Sequence, residues 1–169
     1  MKEIADHVWD ITLGTAQRVH EYCEILAYAI EDNGWRYDTD LLKRADKYWL
    51  IQGLRHSYQV VESRLNSRET TVSRRNQVIY CILKIKVHQF DSNIIDNQLR
   101  KEFPDSIPKT NMGIGAILSE LTKGDTPLLN KNYKLNNFSI RDSRYLMCIR
   151  LMLYKNPVTQ KVVKTNFER

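Results

Sequence analysis

Residues that could perform catalysis or bind a metal are few and widely separated in this sequence. His20 and Cys23 stand one helical turn apart, but no further His or Cys follows at the spacing of a zinc site. Asp38 and Asp40 precede a helical pattern, where carboxylates cap a helix and complement its dipole. The motifs G-x-x-x-x-G-K-[ST], H-E-x-x-H and G-x-S-x-G are absent. We therefore expect that the chain is not an enzyme and that it binds no metal or cofactor.

Lysines in the C-terminal half offer a different chemistry, which is phosphate binding. They fall at the ends of a helix predicted over 110–122 and in a predicted hairpin, where they can contact phosphates without reading the base sequence. The outward face of that helix is nearly neutral, so it is poorly suited to reading bases. We expect the DNA-contacting surface to comprise Lys109, Thr110, Asn111, Ser119, Lys123, Lys131 and Lys134.

Hydrophobic periodicity and turn residues predict the elements that hold this surface. These elements are three helices, two strands and a last helix, over 74–89, 92–103, 110–122, 128–135, 138–141 and 142–154. We expect Thr110 to cap the third helix, Gly113 and Gly115 to permit close helix packing, and Asn136-Asn137 to form the turn between the strands. Three helices followed by a hairpin is the order of a winged helix-turn-helix, in which the hairpin is the wing.

The first part of the chain is predicted to be helical throughout, in helices over 1–10, 16–32, 39–50 and 54–65. Thr15 and either Asp38 or Thr39 are the predicted caps, and Gly53 marks a kink or break. The fold class is therefore mainly α, with an N-terminal helical lobe followed by a winged helix-turn-helix with a short two-stranded wing. We place the helical lobe, the winged-helix domain and a polar tail at 1–67, 72–155 and 156–169.

The net charge of +6 is unevenly distributed along the chain. Residues 1–50 carry six Lys and Arg against ten Asp and Glu, a net charge of −4, whereas residues 51–169 carry twenty against ten, a net charge of +10. The basic part suits a polyanion such as double-stranded DNA, and the acidic part suits a protein partner.

The cellular compartment follows from what the sequence does not contain. No apolar run reaches the roughly 20 residues of a membrane span, and the N-terminus lacks an apolar signal region. The three cysteines are far apart, which favours free thiols over disulfides. We therefore expect a cytoplasmic protein that does not associate with membranes.

Three segments carry a resemblance to a known family. They are Thr12–His20, Leu41–Trp49 and Phe138–Tyr145. These segments resemble the C-terminal half of AAA+/STAND-type P-loop ATPases, including origin-recognition-like and defence-associated forms, at the start of the lid, a later lid helix and the segment that leaves the wing. The resemblance implies a helical lid followed by a winged helix. It also places Arg18 at the position of a nucleotide-sensing arginine, although Gln17 replaces the proline usual before it; the alternative is an exposed helix arginine near Glu21.

The favoured hypothesis is a non-catalytic winged-helix module that binds double-stranded DNA, largely through the phosphate backbone. The resemblance implies that it is part of, or partner to, an ATPase-type regulatory or defence system, with an ATPase core or another protein at the acidic N-terminal lobe. Two alternatives are a protein-interaction or oligomerisation domain without nucleic-acid binding, and a small stand-alone transcription regulator.

Overall fold

The computed structural model describes residues 2–66, 73–108 and 112–165, the side chain of Thr39 excepted. This part of the chain is mainly helical, with eight α-helices and a small amount of antiparallel sheet, and the mainly helical class is confirmed. It forms two compact units that meet in sequence between Tyr58 and Gln59. The predicted domain limits at residues 67 and 72 lie outside the described residues, so that placement stays a prediction.

The N-terminal unit consists of helices. They are α1 (Lys2–Thr12), α2 (Ala16–Asp32), α3 (Thr39–Tyr48), a π-helical turn (Trp49–Gly53) and the first part of α4 (Arg55–Arg64). Asp38 caps α3 as predicted, because its Oδ1 accepts a hydrogen bond from the N–H of Leu41 at 2.8 Å. Thr15 occupies the N-cap position of α2, but its side chain makes no capping bond. The break predicted at Gly53 is the π-helical turn, in which the N–H of Leu54 bonds the carbonyl of Trp49 at 2.9 Å.

The core of the N-terminal unit is made by the inward faces of these helices. The buried apolar side chains are Val8, Ile11, Tyr22, Leu26, Leu41, Ala45, Trp49, Leu50 and Leu54. Tyr22 and Trp49 meet edge to face, with ring centroids 5.4 Å apart. Aromatic pairs in this geometry contribute more than their buried area alone.

The C-terminal unit mixes helices with short strands. Its elements are α5 (Arg74–Lys84), β1 (Gln89–Phe90), α6 (Ser92–Glu102), a 3-10 turn (Pro104–Ser106), α7 (Ile114–Glu120), β2 (Leu129–Asn132), β3 (Asn137–Ile140), α8 (Ser143–Met152), β4 (Leu153–Lys155) and β5 (Val162–Lys164). Strands β1, β3 and β2 form an antiparallel sheet in that order, and β4 pairs with β5. Asp91 and Asp142 cap α6 and α8 with their side chains.

Two element boundaries predicted in the C-terminal unit were wrong. Helix α5 ends at Lys84 instead of Gln89, because Gln89 and Phe90 form β1 and pair with β3. Phe90 is buried there against Phe138, with stacked rings 6.4 Å apart. The last helix ends at Met152 instead of Tyr154, and the predicted polar tail contains β5, in which Val162 is buried.

The predictions for α7 and the hairpin also need correction. Helix α7 begins at Ile114 instead of Thr110, and Gly113 stands at its N-cap with φ +66°, outside the helix. A Cβ built on Gly113 or Gly115 would meet nothing within 4 Å among the described residues, so close helix packing was the wrong interpretation. The hairpin turn spans 133–136 instead of Asn136-Asn137, since Asn137 already pairs with Asn132.

Candidate nucleic-acid interface

The described part of the predicted DNA-contacting surface lies on α7 and on the β2–β3 hairpin that follows it. Four of the seven predicted residues are described, namely Ser119, Lys123, Lys131 and Lys134. The other three lie outside the described residues, namely Lys109, Thr110 and Asn111. The candidate surface therefore rests on the end of α7, the connection to β2, and the hairpin itself.

The connection between α7 and β2 is held by hydrogen bonds to backbone carbonyls. The N–H of Leu128 donates to the carbonyl of Leu121 at 2.9 Å, which attaches the start of β2 to the end of α7. Arg64 donates from Nη2 to the carbonyl of Thr126 at 2.9 Å. Gly124 has φ +84°, and a Cβ there would lie 3.0 Å from that guanidinium nitrogen. These contacts fix the loop that carries Lys123.

The turn of the β2–β3 hairpin exposes apolar and basic side chains together. Tyr133 is 82% exposed, Leu135 is 65% exposed, and Lys134 between them is exposed as well. The side chain of Asn132 shapes the turn, because its Oδ1 accepts from the N–H groups of Lys134 and Leu135 at 3.0 and 3.3 Å. Sequence reasoning placed Tyr133 and Leu135 within a strand, although the Asn residues on either side of them were the available turn signal.

Lys131 is held close to two aromatic rings of the hairpin. Its Nζ lies 5.2 Å from the ring centroid of Tyr133 and 5.6 Å from that of Phe138. Such cation–π contacts keep the charge near the turn without neutralising it. The hairpin thus presents two lysine amines and one tyrosine hydroxyl, all of them donors suited to phosphate oxygens.

The outward side of α7 offers little positive charge. Gly115, Ala116 and Glu120 are exposed, and Ser119 is half-buried with its carbonyl bound by the hydroxyl of Thr122 at 2.8 Å. Glu120 forms an ion pair with Lys123 at 2.6 Å. The hydrogen bond from Lys123 is the main cause of a lowered pKa for Glu120. Within Ile114–Lys123 the basic charge is therefore offset.

One exposed basic residue near the hairpin was missed by sequence reasoning. Arg141 follows β3 directly, and its backbone N–H donates to the carbonyl of Leu128 at 3.1 Å. Its position beside the start of β2 adds a guanidinium to the hairpin surface. The next arginine, Arg144, is different, because it binds the carboxylate of Asp142 and its charge is offset. Arg141 was the last residue of the predicted strand 138–141, and a basic residue at a strand end was the available signal.

Arg18, which the resemblance places at a nucleotide-sensing position, lies on α2 in the N-terminal unit. Its Nη1 donates to Oε2 of Glu21 at 2.6 Å, and its side chain is half-buried. The Glu21 partner is the one named in the alternative given above, but the side chain is half-buried where that alternative expects it exposed. The nucleotide-sensing role stays a prediction.

A polar cluster links three helices of the N-terminal unit. His7 of α1 and the buried Tyr22 of α2 both contact Oδ1 of Asp46 on α3, at 2.9 and 2.7 Å. The hydrogen bond to Asp46 raises the pKa of His7, against a smaller lowering by burial. Burial first, and Asp46 second, raise the pKa of Tyr22, so its hydroxyl stays a donor.

Replacing His7 with glutamine is expected to destabilise the N-terminal unit more at low pH than at high pH. In the folded state the pKa of His7 lies above its usual 6.5, so folding favours the protonated ring. This stabilisation is fully present below the unfolded pKa and is lost as pH rises through the folded pKa. Urea denaturation between about pH 5.5 and 9 measures the difference. The exposed His20, replaced in the same way, is the control, and a pH-independent effect of the His7 variant would contradict the expectation.

The described residues contain few other groups that could react or bind a metal. Burial raises the pKa of the Cys81 and Cys148 thiols to about 12, so both stay protonated at neutral pH. No three His, Cys, Asp or Glu side chains in this part of the chain are grouped so as to hold a metal ion. Among the described helices, none has the length and apolarity needed to cross a bilayer.

Comparisons of the chain with models of protein families, with curated proteins and with solved structures found no match.

Proposed function

We propose that residues 72–155 form a winged helix-turn-helix domain that binds double-stranded DNA, mainly through the phosphate backbone. The order of elements supports this fold: α5, β1, α6, α7, β2 and β3 are three helices and a hairpin, with a short strand after the first helix. The pairing of β1 with β3 also supports it, because it ties the hairpin to the helices. In this domain α7 is the helix that would face the major groove, and the β2–β3 hairpin is the wing.

The observation that carries the DNA proposal is the composition of the wing turn. Lys134 is exposed between two exposed apolar side chains, and Lys131 lies beside them over the ring of Tyr133. A lysine amine neutralises a phosphate and releases its counterion, and a tyrosine hydroxyl can donate to a phosphate oxygen. Arg141 extends the same donor set.

The proposed binding depends on electrostatic contacts with phosphates and gives little recognition of the base sequence. Specific recognition needs side chains such as Arg, Lys, Asn or Gln directed at base edges. The exposed positions of α7 are Gly115, Ala116 and Glu120, and Lys123 is paired with Glu120. The domain would therefore hold DNA by its backbone, with little preference among sequences that differ at single bases.

The wider setting of the domain rests on the resemblance to AAA+/STAND-type ATPases. On that basis the chain would be a non-catalytic part of, or partner to, an ATPase-type regulatory or defence system. An ATPase core or another protein would then contact the acidic N-terminal lobe, and Arg18 would approach the nucleotide. A stand-alone transcription regulator differs from this reading because it would prefer one DNA sequence.

Reversing the charge of Lys131 and Lys134 to glutamate is expected to weaken binding of a short labelled duplex by at least about tenfold. The wild-type affinity should fall steeply with salt, and the variant should lose about two units of the slope of log affinity against log salt concentration. Fluorescence anisotropy across a salt series measures both quantities. Competition with unlabelled duplexes of unrelated sequence measures the preference among sequences.

Lys101 and Lys161 provide a control with the same change in net charge. Both are exposed, on α6 and in the β4–β5 turn respectively. Their double replacement with glutamate should weaken binding much less than the wing variant does. Equal losses of DNA affinity in the two double variants would show that only the net charge matters, which would contradict binding through the hairpin turn. Absence of DNA binding by the wild type would favour a domain that binds only protein.

A further inference from the structure

An apolar groove runs between α1 and α2 in the N-terminal unit. Its volume is about 480 Å³, and its lining includes Ile4, Val8, Trp9, Val19, Leu26 and Ile30. On α2 the lining runs from Val19 to Ile30, so at 1.5 Å per residue the groove extends for about 16 Å, or three helical turns. This length suits the apolar face of a third helix laid along the first two.

Trp9 lines this groove, and its ring lies against Gly14. It is 67% exposed, yet a Cβ on Gly14 would come within 2.6 Å of the indole Cζ2. Gly14 has φ +63°, so the α1–α2 turn needs glycine for its backbone as well as for the ring. A large aromatic side chain that is both exposed and pre-positioned is typical of the residues that dominate binding energy at protein interfaces.

Acidic side chains flank the groove. On α2, Glu24 and Glu31 lie three residues before and four residues after Ala27, which lines the groove, so they neighbour it on the helix surface. On α1, Asp6 lies three residues before Trp9 in the same way. All three acidic side chains are exposed. By the same spacing, Lys2 stands three residues before Ala5 of the lining, and the exposed His20 stands three residues before Cys23. Residues 1–50 nevertheless have a net charge of −4.

We propose that the α1–α2 groove binds an amphipathic α-helix of a partner protein, with an apolar stripe bordered by Lys and Arg. The apolar stripe would cover Val8, Trp9 and Val19, and the basic border would meet Asp6, Glu24 and Glu31. The charge of Asp6, Glu24 and Glu31, which we call the acidic rim, favours this occupant over two others. A second copy of this unit would bring the same acidic rim, and a nucleic acid would be repelled by it.

The test uses two labelled synthetic peptides of about 18 residues, which form five helical turns. Both carry leucines at i, i+3, i+4 and i+7, and they differ only in their flanking positions, which are lysine in one and glutamate in the other. The 169-residue chain should bind the lysine peptide at least about tenfold more tightly than the glutamate peptide at low salt. Fluorescence anisotropy measures both affinities.

Variants of the protein locate the site. Trp9→Ser should weaken binding of the lysine peptide by about tenfold or more, because it removes the exposed aromatic contact. The double variant Glu24→Lys and Glu31→Lys should reverse the preference, so that the glutamate peptide binds better. Tyr28→Ser is the matched control, since Tyr28 is also an exposed aromatic on α2 but does not line the groove. Circular dichroism melts confirm that each variant is folded.

Three results would overturn the proposal. One is equal or absent binding of the two peptides, and another is an unchanged affinity in the Trp9 variant. The third is concentration-dependent dimerisation, seen by analytical ultracentrifugation, that Trp9→Ser abolishes, because the occupant would then be a second copy. A reversal of preference in the double lysine variant establishes that the acidic rim selects the partner.

Discussion

Replacing Trp49 with alanine is expected to lower the free energy of unfolding of the N-terminal unit by about 3–5 kcal/mol. Trp49 is fully buried and makes an edge-to-face contact with Tyr22, whose hydroxyl in turn binds Asp46. The substitution leaves a cavity at the junction of α2, α3 and the π-helical turn. Urea denaturation followed by circular dichroism measures the change in free energy.

Trp49 and Gly53 pack directly against each other within the π-helical turn. A Cβ on Gly53 would lie 2.6 Å from Cδ1 of the indole, so glycine lets the widened turn close over the ring. The indole Nε1 has no hydrogen-bond partner among the described residues. Trp49→Phe removes that unpartnered donor and keeps most of the apolar contact, so it should cost much less than Trp49→Ala.

Trp35→Ala is the control for loss of a tryptophan as such. Trp35 is 75% exposed, and its removal should change the free energy of unfolding by no more than about 0.5 kcal/mol. If the Trp49 and Trp35 variants unfolded at the same urea concentration, the central role of Trp49 in this core would be refuted.

The parts of the fold that follow from short sequence segments were predictable. Helix α2 begins and ends as its periodicity and the Asn33-Gly34 pair predict. Asp38, Asp91 and Asp142 each precede a helix and each accepts a hydrogen bond from a backbone N–H inside it. A side-chain cap forms within about four residues, so the sequence alone identifies the candidates, although Thr15 makes no such bond.

The parts that depend on distant partners were not predictable from the sequence. Strand β1 is two residues long, and it exists because Gln89 and Phe90 pair with Ser139 and Phe138, nearly fifty residues later. The local sequence there continues the helical pattern of α5, so periodicity alone extends the helix too far. Strand β5 is similar, because it pairs with β4 and contacts α5, and its Val162 is buried.

The candidate interface was likewise predictable only in part. That lysines lie on and around the hairpin was evident from the sequence, but the pairing of Lys123 with Glu120 and the position of Lys131 over Tyr133 were not. An ion pair with a carboxylate makes a lysine less able to bind a phosphate, because a charge that is already offset contributes less to DNA affinity. The structure therefore moves the emphasis of the candidate interface from the end of α7 to the turn of the β2–β3 hairpin.

Phe103 is a buried aromatic residue that contacts several elements of the C-terminal unit. It ends α6, is buried, and contacts Tyr80 of α5 edge to face, with ring centroids 5.9 Å apart. On the other side, Nζ of Lys155 lies 5.1 Å from its ring centroid and donates to the carbonyl of Glu102. One ring thus joins α5, α6 and the β4–β5 hairpin, so a cavity here cannot be filled by moving a single element.

Phe103→Ala is therefore expected to lower the free energy of unfolding of the C-terminal unit by about 3–5 kcal/mol. Lys155→Met, which removes the cation but keeps an apolar chain on the ring, should cost no more than about 1 kcal/mol. Tyr133→Ala, at an exposed position of the same unit, should cost about 0.5 kcal/mol or less. Urea denaturation of the three variants and the wild type ranks them. An equal loss in Phe103→Ala and Tyr133→Ala would show that the ring does not join these elements, because an exposed side chain leaves no cavity when it is removed.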